Sequence, residues 1–129
     1  PLVIELKGND APDPRLVDTV AEALSTYDGP VAVMSFDLVL CARFREVMPT
    51  VLRGLTAEGG DECYAAHTAA MRDHDLQFIS YHLHDLPCRF VQEQRKADVP
   101  VITWTVRSDE DAAFSARRAD QITFEGFAA

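Results

Sequence analysis

The sequence has few cysteines, and nothing in their spacing links them. The three are Cys41, Cys63 and Cys88. An odd number without a CxxC pair argues against a disulfide framework and against a zinc or redox site of the CxxC type. Each lies in an amphipathic segment, so we expect three small buried side chains in a reducing compartment, which favours a cytoplasmic protein.

Long apolar runs are also missing. The longest, at residues 31–34 and 99–106, fall far short of the roughly 20 residues that a membrane-spanning helix needs. No basic and apolar leader opens the chain. The chain begins at Pro1 without a methionine and enters a strand-like run at once, so we expect the true N-terminus to lie elsewhere.

Positive charge is scarce, with 12 Lys and Arg residues against 21 Asp and Glu residues and a net charge of −9. An acidic surface repels phosphate backbones, so we expect no nucleic-acid partner. The densest basic stretches, 89–96 and 117–118, alternate with apolar residues and are interpreted as solvated helix surface. A small anionic substrate would therefore need a local positive group, such as a metal ion or a lysine.

Several common catalytic motifs are absent, namely HExxH, GxGxxG, GxSxG and the phosphate-binding GxxxxGK[ST]. Two histidines, His67 and His74, are seven residues apart on one predicted helix and are interpreted as surface or boundary residues. His82 and His84 have a spacing that can bind zinc if a strand continues through them. The segment that follows favours a strand turning into a loop, with both histidines as polar rim residues.

What the sequence does contain is a strict alternation of strand-like and helical patterns. The strand-like runs are 2–7, 31–36, 51–55, 76–81, 101–106 and 121–124. The helical segments are 14–27, 37–47, 61–74, 86–96 and 108–119, with capping residues predicted at Asp13, Asp37 and Ser108. This alternation predicts a parallel sheet with crossover helices. By itself it leaves open a doubly wound sheet or part of a barrel.

Four segments, in order, resemble the second half of the glycerophosphodiester phosphodiesterase family. They are Val3-Ile-Glu-Leu-Lys7, Val33-Met-Ser-Phe-Asp37, Val101-Ile-Thr-Trp-Thr-Val106 and Ala119-Asp-Gln-Ile-Thr-Phe-Glu-Gly126. Asp85-Leu86-Pro87 is similar to a segment of bacterial members. The resemblance implies an α/β fold of the parallel (β/α) TIM-barrel type. Residues 1–129 would be the C-terminal part of that barrel, with about six of eight strand–helix units and the N-terminal part absent.

The resemblance also implies roles for three side chains. Glu5 would be a ligand of a divalent metal, Mg²⁺ or Ca²⁺, and Lys7 would bind the substrate phosphate. Trp104 would form a wall of the glycerol pocket. A hard cation held by carboxylates and a lysine on the same strand face both suit a phosphodiester, whose charge must be neutralised. Ser35 and Phe36 close a strand and either line the pocket or only pack.

The catalytic residues of the family are not found in this chain. The family's two catalytic histidines lie in His-Arg-Gly and His-Asp segments and two further metal ligands lie in a Glu-x-Asp segment, all in the first part of the barrel. We therefore expect no catalytic residue here, and we expect the proton-transfer groups in the missing N-terminal part. This segment alone should be inactive or nearly so.

The function implied is metal-dependent hydrolysis of small glycerophosphodiesters to an alcohol and glycerol 3-phosphate by the complete enzyme, in glycerol and lipid metabolism. Self-association or pairing with the missing N-terminal half is expected, because an open partial barrel exposes sheet edges. Two alternatives stay open. One is a non-catalytic, degenerate fragment that acts as a binding or assembly module, and the other is an unrelated doubly wound protein.

Overall fold

The computed structural model describes residues 1–8 and 11–126, and within them parallel strands alternate with helices. The strands are β1 (Leu2–Glu5), β2 (Val31–Ser35), β3 (Leu52–Ala57), β4 (Phe78–His82), β5 (Val101–Val106) and β6 (Gln121–Phe124). The α-helices are α1 (Arg15–Leu24), α2 (Leu38–Val47), α3 (Tyr64–Asp73), α4 (Arg89–Lys96) and α5 (Asp109–Ser115). Short 3₁₀ turns cover Asp61–Cys63 and Leu83–Asp85.

The sheet follows the order of the chain, β1-β2-β3-β4-β5-β6, and every neighbouring pair is parallel. A doubly wound sheet reverses its strand order at a switch point, and this sheet has no such reversal. The unrelated doubly wound alternative is therefore wrong. Sequential parallel order is the arrangement of a (β/α) barrel, as the resemblance implied.

The sheet is curled, as one contact between distant strands shows. The ring of Phe36, which follows β2, lies 5.6 Å from the ring of Trp104 on β5. Two strands separate β2 from β5, which would put them about 14 Å apart in a flat sheet with the usual strand spacing. The rings meet because the sheet curves towards them, so the chain forms a partial α/β barrel with a concave inner face.

The helices pack on the other, convex face in two adjoining core clusters. The first joins β1 and β2 to α1 and α2, and its buried members are Leu6, Val17, Leu24, Val33, Leu40, Phe44 and Val51. The second joins β3, β4 and β5 to α3 and α4, and its most deeply buried members are Ile79, Tyr81, Phe90 and Val101. Strand residues that point the other way, such as Val3 and Leu52, are half exposed at 50% and 54%.

Most predicted elements are confirmed, with differences at their ends. The predicted strand 51–55 extends to Ala57, and the predicted strand 76–81 is shifted to Phe78–His82. The helix predicted from 86 begins at Arg89 because Leu86 and Cys88 are extended and buried against the core. Helix α5 ends at Ser115 rather than 119, and a tight turn leads from there into β6.

The three predicted capping residues each accept a backbone hydrogen bond at a helix start. The Asp37 side chain accepts from the Val39 N–H at 2.9 Å, and the Ser108 hydroxyl accepts from the Asp111 N–H at 3.1 Å. The Asp13 carboxylate accepts from the Arg15 N–H at 3.0 Å. Helix α1 begins at Arg15, so Pro14, predicted as the first helical residue, lies just before it.

The three cysteines are free, and two of them are buried as predicted. Cys41 and Cys88 are 1% and 3% exposed, and burial raises the pKa of the Cys41 thiol to about 11. The prediction is wrong for Cys63, which is partly exposed because it lies in the 3₁₀ turn before α3 rather than on an inward helix face. In the part of the chain that the structure describes, every helix is too short or too polar to span a bilayer.

Gly54 on β3 lies against the ring of Phe78, its partner on β4. A Cβ atom at Gly54 would come within 2.3 Å of a ring carbon of Phe78, which is itself 6% exposed. We expect Gly54→Ala to lower the free energy of unfolding by about 1–3 kcal/mol through overpacking, measured by chemical denaturation. Gly60→Ala is the control, because the nearest atom there is the end of the flexible Glu62 side chain.

A double variant tests the cause of this loss. Phe78→Leu in the Gly54→Ala background should recover part of the lost stability, because the ring that crowds the new methyl group is removed. If the stability losses of the two single variants simply add up in the double variant, the Phe78 ring is not the cause of the loss in Gly54→Ala.

His67 is at the boundary between core and surface, as predicted. Its ring lies 5.7 Å from that of Tyr81 and 5.2 Å from that of Phe90, and its Nδ1 is 3.3 Å from the Tyr81 hydroxyl. Burial lowers the pKa of His67 below its ordinary value of 6.5. The neutral imidazole is therefore the form that the fold favours.

This predicts a pH dependence of stability. Because the folded pKa of His67 is below the unfolded one, its contribution is complete above pH 6.5 and is lost as the pH falls towards the folded pKa. The free energy of unfolding of His67→Gln should fall less steeply below pH 6.5 than that of the unchanged protein. An equal slope in His67→Gln and in the unchanged protein would contradict the prediction.

Candidate functional site

The carboxyl ends of the parallel strands meet at one edge of the curled sheet, where active sites of (β/α) barrels form. Five side chains with functional chemistry are placed at or beside this edge by four strands. They are Glu5 and Lys7 from β1, Phe36 from the end of β2, His82 from the end of β4, and Trp104 from β5. This edge is the candidate site.

Glu5 and Lys7 point to the same side of β1, as the alternation of strand side chains predicts. Lys7 Nζ lies 3.5 Å from Glu5 Oε2, and Leu6 between them is buried on the opposite side. The Leu6 N–H donates to the Met34 carbonyl at 2.8 Å, which fixes the backbone. The Lys7 side chain is 76% exposed, so the ion pair is weak and a bound anion could readily separate it.

The two residues that close β2 have different roles. Ser35 is fully buried; its hydroxyl donates to the Leu6 carbonyl at 2.5 Å and accepts from the Asp37 N–H at 2.9 Å. It therefore ties the end of β1 to the turn after β2. Phe36 is 49% exposed and presents its ring at the edge. Of the two possibilities left open by the sequence, Ser35 packs and Phe36 faces the candidate site.

Trp104 is held by three contacts. Its indole N–H donates to the Ser80 carbonyl on β4 at 3.1 Å, and its ring lies 5.6 Å from Phe36 and 4.9 Å from His82. Because the only polar atom of the indole is already bonded, what Trp104 offers a ligand is an apolar ring surface. Its assignment to a glycerol pocket stays a prediction.

The structure pairs His82 with Asp85, which the sequence did not predict. His82 Nδ1 lies 2.9 Å from Asp85 Oδ2, and the same oxygen accepts from the Gly59 N–H at 2.8 Å. The Gly59 hydrogen bond, followed by that from His82, lowers the pKa of the Asp85 carboxyl. The pair forms because β4 ends at His82 and the following 3₁₀ turn brings residues three apart together.

The zinc alternative for the two histidines is not supported. Their rings are 5.4 Å apart in an edge-to-face arrangement, and His84 lies in the turn instead of on a continued strand. Within residues 1–8 and 11–126, no three His, Cys, Asp or Glu side chains come together as a metal site. The interpretation of His82 as a rim residue agrees with its place at the end of β4.

The lack of such a cluster among the described residues also applies to the metal predicted at Glu5. One carboxylate does not make a metal centre, although Mg²⁺ is often held by only one or two carboxylates together with substrate oxygens and waters. The described residues therefore do not fit a complete divalent-metal site. Glu5 offers one ligand, and any others would have to come from outside this part of the chain.

The structure thus forms two groups at one edge: Glu5 with Lys7, and Trp104 with Phe36 and His82. Within the described ranges, no hydrogen bond, ion pair or ring contact joins the two groups. The basic stretches lie elsewhere. Their side chains line a groove of about 620 Å³ on the convex face beside α4, whose lining residues are Leu86, Pro87, Cys88, Val91, Gln92, Arg95, Lys96, Arg117 and Arg118.

No protein-family model matches the chain, and a search of curated proteins finds no match to its sequence. Solved structures do match. A phosphodiesterase of Oleispira antarctica in complex with the product sn-glycerol 3-phosphate superposes with a TM-score of 0.81 at 17% identity, over 93% of this chain and 49% of that one. A glycerophosphodiester phosphodiesterase of Thermotoga maritima gives 0.70 at 17% identity, over 95% and 52%.

A third matching structure is that of a regulatory protein. A glycerol uptake operon antiterminator regulatory protein of Listeria monocytogenes gives a TM-score of 0.62 at 16% identity, over 87% of this chain and 59% of that one. The chain spans about half the length of the two phosphodiesterases. The resemblance to glycerophosphodiester phosphodiesterases is confirmed at the level of fold, and at these identities a shared fold does not by itself assign a function.

Proposed function

We propose that the chain is part of a glycerophosphodiester phosphodiesterase, which hydrolyses a glycerophosphodiester to an alcohol and glycerol 3-phosphate with the help of Mg²⁺ or Ca²⁺. The proposal rests on where three residues lie in the fold. Three residues singled out from sequence segments, Glu5, Lys7 and Trp104, lie at one carboxyl edge of a curled sheet with the fold of such enzymes.

Each of these residues would act on a different part of the ligand. The Lys7 ammonium, exposed and only weakly paired, would neutralise the phosphate. The rings of Trp104 and Phe36 would pack against carbon-bound hydrogens of the glycerol part and exclude water. Glu5 would be one ligand of a divalent metal whose other ligands come from outside this chain, and that metal would supply neutralising charge for the phosphoryl oxygens. The general acid and base would come from residues outside this chain, so the described segment alone would be inactive.

We also propose that further strands complete the barrel. β1 and β6 each have a single neighbour in the described sheet, and the concave face exposes Val3 and Leu52. Open sheet edges and a half-exposed apolar face favour pairing, either with an N-terminal half or with another copy. The three free cysteines fit a reducing compartment, and we place the protein in the cytoplasm.

The second candidate is a non-catalytic binding or assembly module, which the same exposed concave face favours. Val3 and Leu52 would then be an interface rather than the interior of a closed barrel. The two functions differ in whether the protein, once its barrel is complete, turns over a substrate.

The experiment is an assay of the complete protein, as isolated from its source, with glycerophosphocholine. We expect release of sn-glycerol 3-phosphate, loss of this activity on adding a chelator, and recovery on adding Mg²⁺ or Ca²⁺. A pure, folded protein that releases no sn-glycerol 3-phosphate with either metal would overturn the enzymatic proposal and favour the module. Activity that is unchanged by the chelator would overturn only the metal dependence.

A further inference from the structure

His82 is the one imidazole at the carboxyl edge that is fixed on two sides. Asp85 holds its Nδ1 at 2.9 Å, and the ring of Trp104 covers it at 4.9 Å between ring centres. Asp85 is fixed in turn, because the Gly59 N–H donates to the same carboxylate oxygen at 2.8 Å. The His82 side chain is 29% exposed, so the ring is positioned but still reachable.

These contacts determine which nitrogen of His82 is available. A carboxylate can only accept a hydrogen bond, so the Asp85 contact places a proton on Nδ1 of His82. In the neutral ring, Nε2 then carries a lone pair. None of the described hydrogen bonds uses Nε2, so its natural partner is a hydroxyl or N–H group of a ligand.

The surroundings of His82 narrow the class of ligand. Trp104 beside it presents only ring surface, since its N–H is bonded to the Ser80 carbonyl. Phe36 adds a second ring at this edge, 5.6 Å from the ring of Trp104. An acceptor nitrogen on a ring that lies against Trp104, with Phe36 against the same indole, suits a small polyol, whose hydroxyl groups donate hydrogen bonds while its C–H groups pack against aromatic rings.

We propose that His82 is a specificity residue that accepts a hydrogen bond at Nε2 from a hydroxyl group of a polyol phosphate, with Asp85 as the positioning residue that fixes the ring. This proposal rests on the proposed function in one respect, which is that the ligand binds at the carboxyl edge of the sheet. It adds that the hydroxyl groups of the glycerol part, and not the phosphate alone, are recognised by this chain.

The test compares two ligands that differ only in their hydroxyl groups. Isothermal titration calorimetry of the complete protein would measure binding of sn-glycerol 3-phosphate and of n-propyl phosphate, which has the same carbon chain without hydroxyls. We expect the unchanged protein to prefer sn-glycerol 3-phosphate. His82→Phe keeps a ring beside Trp104 but removes the acceptor. In this variant we expect the ratio of the affinity for sn-glycerol 3-phosphate to that for propyl phosphate to fall about tenfold, while the affinity for propyl phosphate stays the same.

Two further variants separate recognition from structure. His74→Phe is the control, because His74 lies before the start of β4, at the opposite end of that strand from His82, and it should leave the preference unchanged. His82→Gln keeps an acceptor oxygen and should keep part of the preference. An unchanged preference in His82→Phe, or an equal loss in His74→Phe, would overturn the assignment.

A measurement on the unchanged protein avoids any effect of mutation on folding. In ¹⁵N NMR spectra of histidine-labelled protein, His82 should show the proton on Nδ1, and sn-glycerol 3-phosphate should shift its Nε2 resonance while leaving His74 unmoved. A proton on Nε2, or no shift on saturation, would overturn the assignment alone. If neither phosphate binds at all, the proposed function fails as well, so the two failures are distinguishable.

Discussion

Replacing Glu5 by glutamine in the complete protein should lower the rate of glycerophosphodiester hydrolysis by about 100-fold or more. Glutamine keeps the size and the carbonyl oxygen of the side chain but removes the charge that would bind a hard cation. A metal that stabilises the phosphoryl transition state contributes several kcal/mol, and each 1.36 kcal/mol is a factor of ten in rate. The measurement is kcat with glycerophosphocholine over a series of Mg²⁺ and Ca²⁺ concentrations.

The metal concentration that the Glu5→Gln protein needs for activity shows whether Glu5 is a metal ligand or only a structural carboxylate. If Glu5 binds the metal, the variant should need a higher metal concentration and should recover part of its activity there. Glu22→Gln is the matched control, because Glu22 is an exposed carboxylate on α1 and makes no ion pair with any residue that the structure describes. A Glu5→Gln protein with unchanged kcat and unchanged metal dependence would show that the Glu5–Lys7 contact is only a surface ion pair.

Replacing Phe90 by alanine should lower the free energy of unfolding by about 3–5 kcal/mol, more than the other substitutions considered for stability. Phe90 is fully buried between α4 and the sheet, with ring contacts to Tyr81 at 6.0 Å and to His67 at 5.2 Å. The change removes a large apolar side chain and leaves a cavity where α3, α4 and β4 meet. Chemical denaturation at neutral pH would measure it.

Phe36 provides the control for this prediction, because it is the same residue type with half of its surface exposed. Phe36→Ala should cost about 1 kcal/mol or less, since it removes one edge-to-face contact with Trp104 and little buried area. Equal losses in the two variants would contradict the assignment of Phe90 to the main core and of Phe36 to the site.

The order and type of the elements could be predicted from local patterns. The apolar run at residues 31–36, the helix end at residue 47 and the caps at Asp37 and Ser108 depend on neighbours in sequence, and the structure has them. The shared orientation of Glu5 and Lys7 follows from the two-residue period of a strand. These features need no knowledge of how the strands are arranged in space.

The contacts between distant segments could not be predicted in this way. The approach of Phe36 to Trp104 depends on the curvature of a sheet across four strands, which no local pattern encodes. The His82–Asp85 pair depends on a 3₁₀ turn where the sequence indicated only a loop, and Gly59 joins it from another strand's loop. Element ends also shifted where burial, as at Leu86, outweighed local helix signals.

The central claim is that this chain provides six strands of a barrel that other strands complete. Native mass spectrometry of the protein purified from its source tests it most directly, because it reports both the chain mass and the assembly. We predict a species well above the 14.3 kDa of this sequence, from a longer chain or from an assembly. A folded, monomeric species of 14.3 kDa would contradict the account.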